Sequence, residues 1–193
     1  MVRAGRILGR RVLGRLVLRR LVLGPRLRAR TGHGDVWAPL EEARRLAEPT
    51  GELQRVGPVS AARAEAHWLA GRSDLVGPET EAALALAVRT ENAWAVGELS
   101  VWRRRAGIDE AVSSEQVAEP HVLELAGEAE QAAAIWDSLG YPYEAALARA
   151  SAETEDSLRR SVADLQQLGA QRTALRVARL LRGAVGQMEA SLV

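Results

Sequence analysis

The sequence predicts an all-α protein, and three observations carry that prediction. Ala and Leu dominate the 193 residues while Phe is absent; both head the helix-propensity scale, whereas strands favour β-branched and aromatic runs. Glycines stand at the ends of apolar segments, where a helix stops because Gly takes the left-handed backbone without penalty. These stops also recur. Gly34 in RTGHGD, Gly71 in WLAGRSD and Gly107 in RRRAGID lie 37 and 36 residues apart, each followed within three residues by Asp.

A period of about 36 residues fits helix-turn-helix units of tetratricopeptide type, whose usual length is about 34. The predicted architecture is therefore a tetratricopeptide-like helical-repeat superhelix, an α-solenoid. Later stops at Gly127, Gly140 and Gly169 come sooner, so its second half is irregular.

Each element has its own local signals. In residues 53–70, Ala61, Ala64 and Trp68 share one helical face and Ala62, Ala66 and Leu69 an adjacent one. Pro78 suits a first turn, and ETEAALALAVR places acids at its start and Arg89 at its end, as the helix dipole prefers. Within 92–106, Trp94, Gly97 and Val101 line one side and Ala95, Leu99, Trp102 and Ala106 another. A helix apolar on two sides needs two neighbours. Pro120 opens a short helix, and Ala129, Ala132, Ile135, Trp136 and Leu139 form the stripe of the next.

Gly140 ends that stripe and Pro142 forbids its continuation. Ala-rich faces at 132–134 and 145–148 let the two helices approach closely. Trp136, Tyr141 and Tyr143 then fill the wedge where the helices diverge or, on a functional reading, stack against a ligand. Thr154 caps a helix bearing Leu158, Val162, Leu165 and Leu168, and Thr173 caps the last one. After Gly183 the pattern fades. The expected organisation is a basic arm at 1–16, a helical-repeat domain at 17–182 and a loose tail at 183–193.

Composition narrows function mainly by exclusion. At 47% hydrophobic and 26% charged residues the chain belongs with globular proteins. It has no Cys, so it has no thiolate nucleophile, disulfide or zinc knuckle, and a reducing cytoplasm suits it. It has no Lys: all 26 basic residues are Arg. A Walker-type phosphate loop, a Schiff base and a kinase lysine are thereby ruled out. Carboxylate pairs such as Glu41–Glu42 fall where a helix start expects acids. His33, His67 and His121 each stand alone, with no partner at metal-ligand spacing. Each reads as a solvated or core-edge histidine, and His67 is expected to face outward.

Charge is unevenly placed. Residues 1–30 carry ten Arg and no acid; with the whole chain at +1, the remaining 163 stand at −9. Arg15, Arg19 and Arg20 interrupt the apolar stretch, so a signal peptide fails, and no run of about 20 apolar residues suited to a membrane span exists. An Arg-rich first helix partly packed on the next helices is the favoured reading. A nucleic-acid arm and a membrane-surface helix remain alternatives. Arg103, Arg104 and Arg105 end a helix, where cations compensate the dipole.

The stretch EPHVLELAGEAEQAAAIWDSLGYPYEAALARA, the later EDSLRRSVADLQQLGAQRTALRVARLLR and the upstream GDVWAPLEEARRLAEPTGELQRVGPVSAARAEAHWLAGR resemble the helical-repeat region of large ATP-binding LuxR-type transcriptional regulators of actinobacteria. The likeness covers residues 17–182, and its most specific element is the Leu139–Glu144 joint. It implies a region that receives an inducer or partner protein and relays that state between an ATPase domain and a helix-turn-helix DNA-binding domain. Neither domain is evident in these residues. The chain is thus expected to be either a stand-alone module or a remnant of a larger regulator.

The resulting expectation is a non-enzymatic regulatory or protein-interaction module without cofactor or metal, cytoplasmic and without a membrane span. Its partner is a protein or peptide, or a small effector. Trp94, Trp102 and Arg103 are the candidate contacts, by bulk and position. Uncapped solenoid ends also favour self-association. The alternative function is nucleic-acid association through the Arg-rich arm, with binding that weakens steeply as salt rises.

Overall fold

The computed structural model describes residues 20–152 and 154–190, with side chains through Arg182. The predicted arm at 1–16 lies outside the described residues, as do 191–193 of the tail. The fold is all-α: ten helices and no strand among the described residues. They are α1 (20–31), α2 (Trp37–Ala47), α3 (Leu53–Leu69), α4 (Val76–Arg89), α5 (Ala93–Arg105), α6 (Glu119–Ala126), α7 (Ala129–Ser138), α8 (Pro142–Ala150), α9 (Glu155–Gln167) and α10 (Gln171–Ala190).

Local chemistry sets these boundaries. All six glycine stops expected from the sequence, Gly34, Gly71, Gly107, Gly127, Gly140 and Gly169, adopt positive φ between 73° and 85°. Asn92 caps α5 by accepting from the Ala95 N–H at 3.0 Å, and Thr154 caps α9 by accepting from Ser157 N–H at 3.4 Å. Pro142 is the first residue of α8, where its missing N–H costs nothing.

Two expectations are corrected here. Thr173 does not cap α10: it is fully buried inside the helix, with its hydroxyl 3.0 Å from Tyr143 Oη. The helix also does not fade at Gly183 but runs on to Ala190.

Consecutive helices from α2 to α10 pack on one another, and α3 packs in addition on α5 and α10. Every residue from Val59 to Leu69 is buried, so this part of α3 is surrounded on all sides. Its alanines, Ala61, Ala62, Ala64 and Ala66, keep that surround close, and the main core extends from Val22 of α1 to Val177 of α10. A second core joins α7 to α8 through Ala132, Ala133, Ala145 and Ala148, each no more than 1% exposed, with Trp136 beside them. This is the close approach that the two Ala-rich faces predict.

His67 is buried rather than turned outward. Its ring lies 4.4 Å from that of Trp37, and Nε2 lies 3.3 Å from Glu79 Oε1. Glu79 is drawn there by Arg63, which donates to both its oxygens at 2.8 and 2.7 Å. Among the described residues no helix is long and apolar enough to cross a membrane.

Candidate effector cleft

A cleft of about 580 Å³ opens between the start of α3, the first turns of α5, and the α7–α8 joint. That lies within the roughly 300–1,000 Å³ usual for small-ligand sites. Its aromatic lining comes from three separate helices and the joint. Trp94 of α5 and Tyr141 of the joint stand about half exposed, at 53% and 52%, whereas Trp136 of α7 and His121 of α6 are buried beneath them. Trp136 forms the centre: its ring lies 5.0 Å from His121, 6.0 Å from Trp94 and 5.8 Å from Tyr141, tilted or edge-on in every case.

The floor is fixed by polar contacts. Trp136 Nε1 donates to Glu124 at 3.2 Å, and Arg105 donates to the other oxygen of Glu124 at 2.5 Å. Burial pushes the Glu124 carboxyl up, only partly offset by Arg105 and the indole N–H. His121 is pushed down to about 3, by burial first and by the Arg105 charge second. The ring is therefore neutral at physiological pH. Its Nδ1 is buried and has no hydrogen-bond partner among the described residues.

Gly97 of α5 makes this packing feasible. A Cβ there would lie 2.4 Å from His121 Cδ2 and 2.6 Å from its Cβ and Cγ, so α5 and α6 meet at this distance only because residue 97 has no side chain.

The back of the cleft is charged. Arg26 of α1 donates to Glu65 at 2.8 Å and to Glu98 at 2.9 Å, while Arg30 donates to Glu65 at 2.6 Å and lies 3.6 Å from Glu144. Glu65 is fully buried and also accepts from the Tyr143 hydroxyl at 2.8 Å. Burial alone would raise its pKa, but the Arg30 and Arg26 charges outweigh burial and hold it at about 2. Burial likewise opposes the charge on Arg26, and Glu65 with Glu98 more than restores it. Glu98 and Glu144 are left partly exposed at the rim.

The three candidate contacts are not brought to one surface. Trp94 lines the cleft. Trp102 is 3% exposed, packed on Trp68 with ring centroids 5.9 Å apart and with Arg105 over its face. Arg103 is held by Thr80 Oγ1 at 2.9 Å, by the Gly77 carbonyl at 3.0 Å and by Glu110.

Sequence reasoning missed Arg26, Glu98, His121 and Glu144 as cleft residues. One signal in the sequence pointed towards His121: a glycine amid the bulky side chains of α5, which marks a close approach. Among the described residues no group of three or more His, Asp or Glu is placed to hold a metal ion.

Fold and cleft together define an all-helical chain with an aromatic, carboxylate-rimmed site. Comparison of the chain with family models, with curated proteins and with solved structures returned no match.

Proposed function

We propose that the protein is a non-enzymatic regulatory module whose effector occupies this cleft, stacking between Trp94 and Tyr141. The single observation that carries the reading is the pair of half-exposed rings from α5 and the α7–α8 joint, facing one cavity over the buried floor of Trp136 and His121. Exposed aromatics are costly to leave in water and supply rigid contact area for a ligand.

The helices behave as tetratricopeptide-like hairpins in this scheme. The recurrent glycine stops and the packing of consecutive helices support that arrangement. A ligand touching both α5 and the joint ties the α7–α8 hairpin to α3 and α5, and the altered stacking is what a partner reads. The resemblance to the sensor region of LuxR-type regulators points the same way, with a cytoplasmic location.

The test follows the indole N–H signals of the five tryptophans by NMR while the full chain meets a panel of neutral, anionic and cationic small molecules. Movement of the Trp94 and Trp136 signals by at least one member, with Trp37, Trp68 and Trp102 still, supports the reading. Stationary Trp94 and Trp136 signals across the whole panel overturn it.

A second reading, nucleic-acid association, is favoured by one observation. The arginines of α2, α3, α5, α8 and α9 all pair with carboxylates, whereas Arg172, Arg176, Arg179 and Arg182 along α10 have no ion-pair partner among the described residues. Such a row suits a phosphate backbone. Retardation of DNA that weakens steeply with salt, and weakens further in R172A/R179A, supports it. No retardation at low salt removes it.

A further inference from the structure

Three tryptophans and one tyrosine outside the cleft share a feature that the cleft rings lack. Arg63 lies over Trp37 at 5.9 Å, Arg176 over Trp68 at 5.2 Å, Arg105 over Trp102 at 4.8 Å and Arg30 over Tyr143 at 3.6 Å. The remaining aromatic rings, Trp94, Trp136 and Tyr141, have no guanidinium over them among the described residues, and all three line the one cleft. Elsewhere in this fold the negative face of an aromatic ring is satisfied by a protein cation. Here Trp94 and Tyr141, half exposed, line the cavity with no protein cation over them, and Trp136 is buried against both.

Charge at the same place has a definite sign. Among the described residues the charged side chains that line the cleft are Arg26, Glu98 and Glu144, one negative charge in excess, and the Arg30–Glu65 pair that joins them adds none. The Arg26 charge is already matched, since its Nε donates to Glu65 and one Nη to Glu98, and the carboxylates in excess repel an anion. His121 is neutral and adds nothing to either side. A neutral ligand would leave both the ring faces and the excess carboxylate charge unanswered. A divalent or bulky polycation would overshoot the single charge.

Resting on the reading of the cleft as the effector site, we infer that its ligand is a small organic monocation of alkylated-ammonium type, held over Trp94 and Tyr141 with its charge toward Glu98 and Glu144. Alkylated ammonium groups are weakly hydrated and bind aromatic faces by cation–π attraction, which strengthens as the site loses water.

The probe is choline, compared with dimethylbutanol, its uncharged carbon isostere, on the full chain with indole N–H detection. Choline is expected to move the Trp94 and Trp136 signals with an affinity about tenfold or more above the isostere. Trp94→Leu keeps apolar bulk on a half-exposed site but removes the ring face, and is expected to lower choline affinity about tenfold while leaving that of the isostere nearly unchanged. Glu144→Gln is expected to weaken choline alone. Phosphatidylcholine vesicles, which present the same cation beside a phosphate that the rim carboxylates repel, are expected to leave both signals in place.

Equal affinity for choline and isostere overturns the inference, as does a response to vesicles without one to choline. If choline is inert while a neutral or anionic compound moves Trp94, the cation inference fails and the cleft reading stands. If nothing moves Trp94, both fail.

Discussion

The Tyr143 hydroxyl donates a 2.8 Å hydrogen bond to Glu65, 78 residues away in the chain. That contact joins the α7–α8 joint, which forms one wall of the cleft, to the wholly buried centre of α3. Arg26 and Arg30 of α1 close on the same carboxylate, so α1, α3 and α8 share one charged anchor, and Arg26 links it to Glu98 of α5.

Removing that anchor has a defined cost and a defined pH signature. Glu65→Gln strands two arginines against a weaker partner, with an expected loss of about 3–5 kcal/mol of stability in a denaturant titration. Glu65 has its folded pKa lowered to about 2 from 4.5. Its contribution is therefore complete above pH 4.5 and is lost as pH falls toward 2. The variant is expected to show a shallower acid limb than the native protein.

His121 acts in a different window. Its folded pKa is lowered to about 3 from 6.5, so below pH 6.5 the unfolded chain takes up a proton that the folded ring refuses. Stability is expected to fall as pH drops from 6.5 to 5, by at most about 1.4 kcal/mol per pH unit from this residue. His67 is lowered in the same direction, by burial first. His121→Gln should therefore reduce the slope of midpoint against pH without abolishing it. An unchanged slope contradicts the assignment.

Gly97→Ala tests the contact between α5 and α6. The added Cβ meets His121 at 2.4–2.6 Å, including its Cβ, which no side-chain rotation moves away. Overpacking of this kind costs about 1–3 kcal/mol. The Trp136 indole signal is expected to shift with it, since that ring lies 5.0 Å from His121.

Trp94 and Trp102 sit on the same helix but predict opposite phenotypes. Trp94→Leu, at a site 53% exposed, is expected to change stability by no more than about 0.5 kcal/mol. Trp102→Ala removes a buried ring packed on Trp68 and should cost about 3–5 kcal/mol. Thermal or denaturant unfolding of both variants separates them.

What the sequence revealed was local. A glycine stop needs only positive φ at one residue, and all six foreseen stops take it. The Gly140–Pro142 joint and its alanine faces are legible from neighbouring residues, and the α7–α8 core results from them.

The cleft is assembled from distant parts. Arg26 meets Glu98 across 72 positions, and no periodicity in either helix marks one for the other. His67 reads as exposed until Glu79, held by Arg63, and the Trp37 ring enclose it. Thr173 looks like a cap because its type favours caps, but a partner 30 residues away claims its hydroxyl. Trp94, Trp102 and Arg103 stand out in the sequence by bulk on one helix. Bulk alone does not tell a ring facing a cavity from one filling a core.

The most direct test of the cleft as a regulatory site is amide hydrogen exchange on the full chain, with and without the small molecule that moves the Trp94 signal most. Slower exchange is expected in α5 and from Ala129 to Ala150, where the ligand ties the joint to its neighbours, with α2 and α9 unchanged. Protection spread evenly over the chain, or confined to α10, would contradict it.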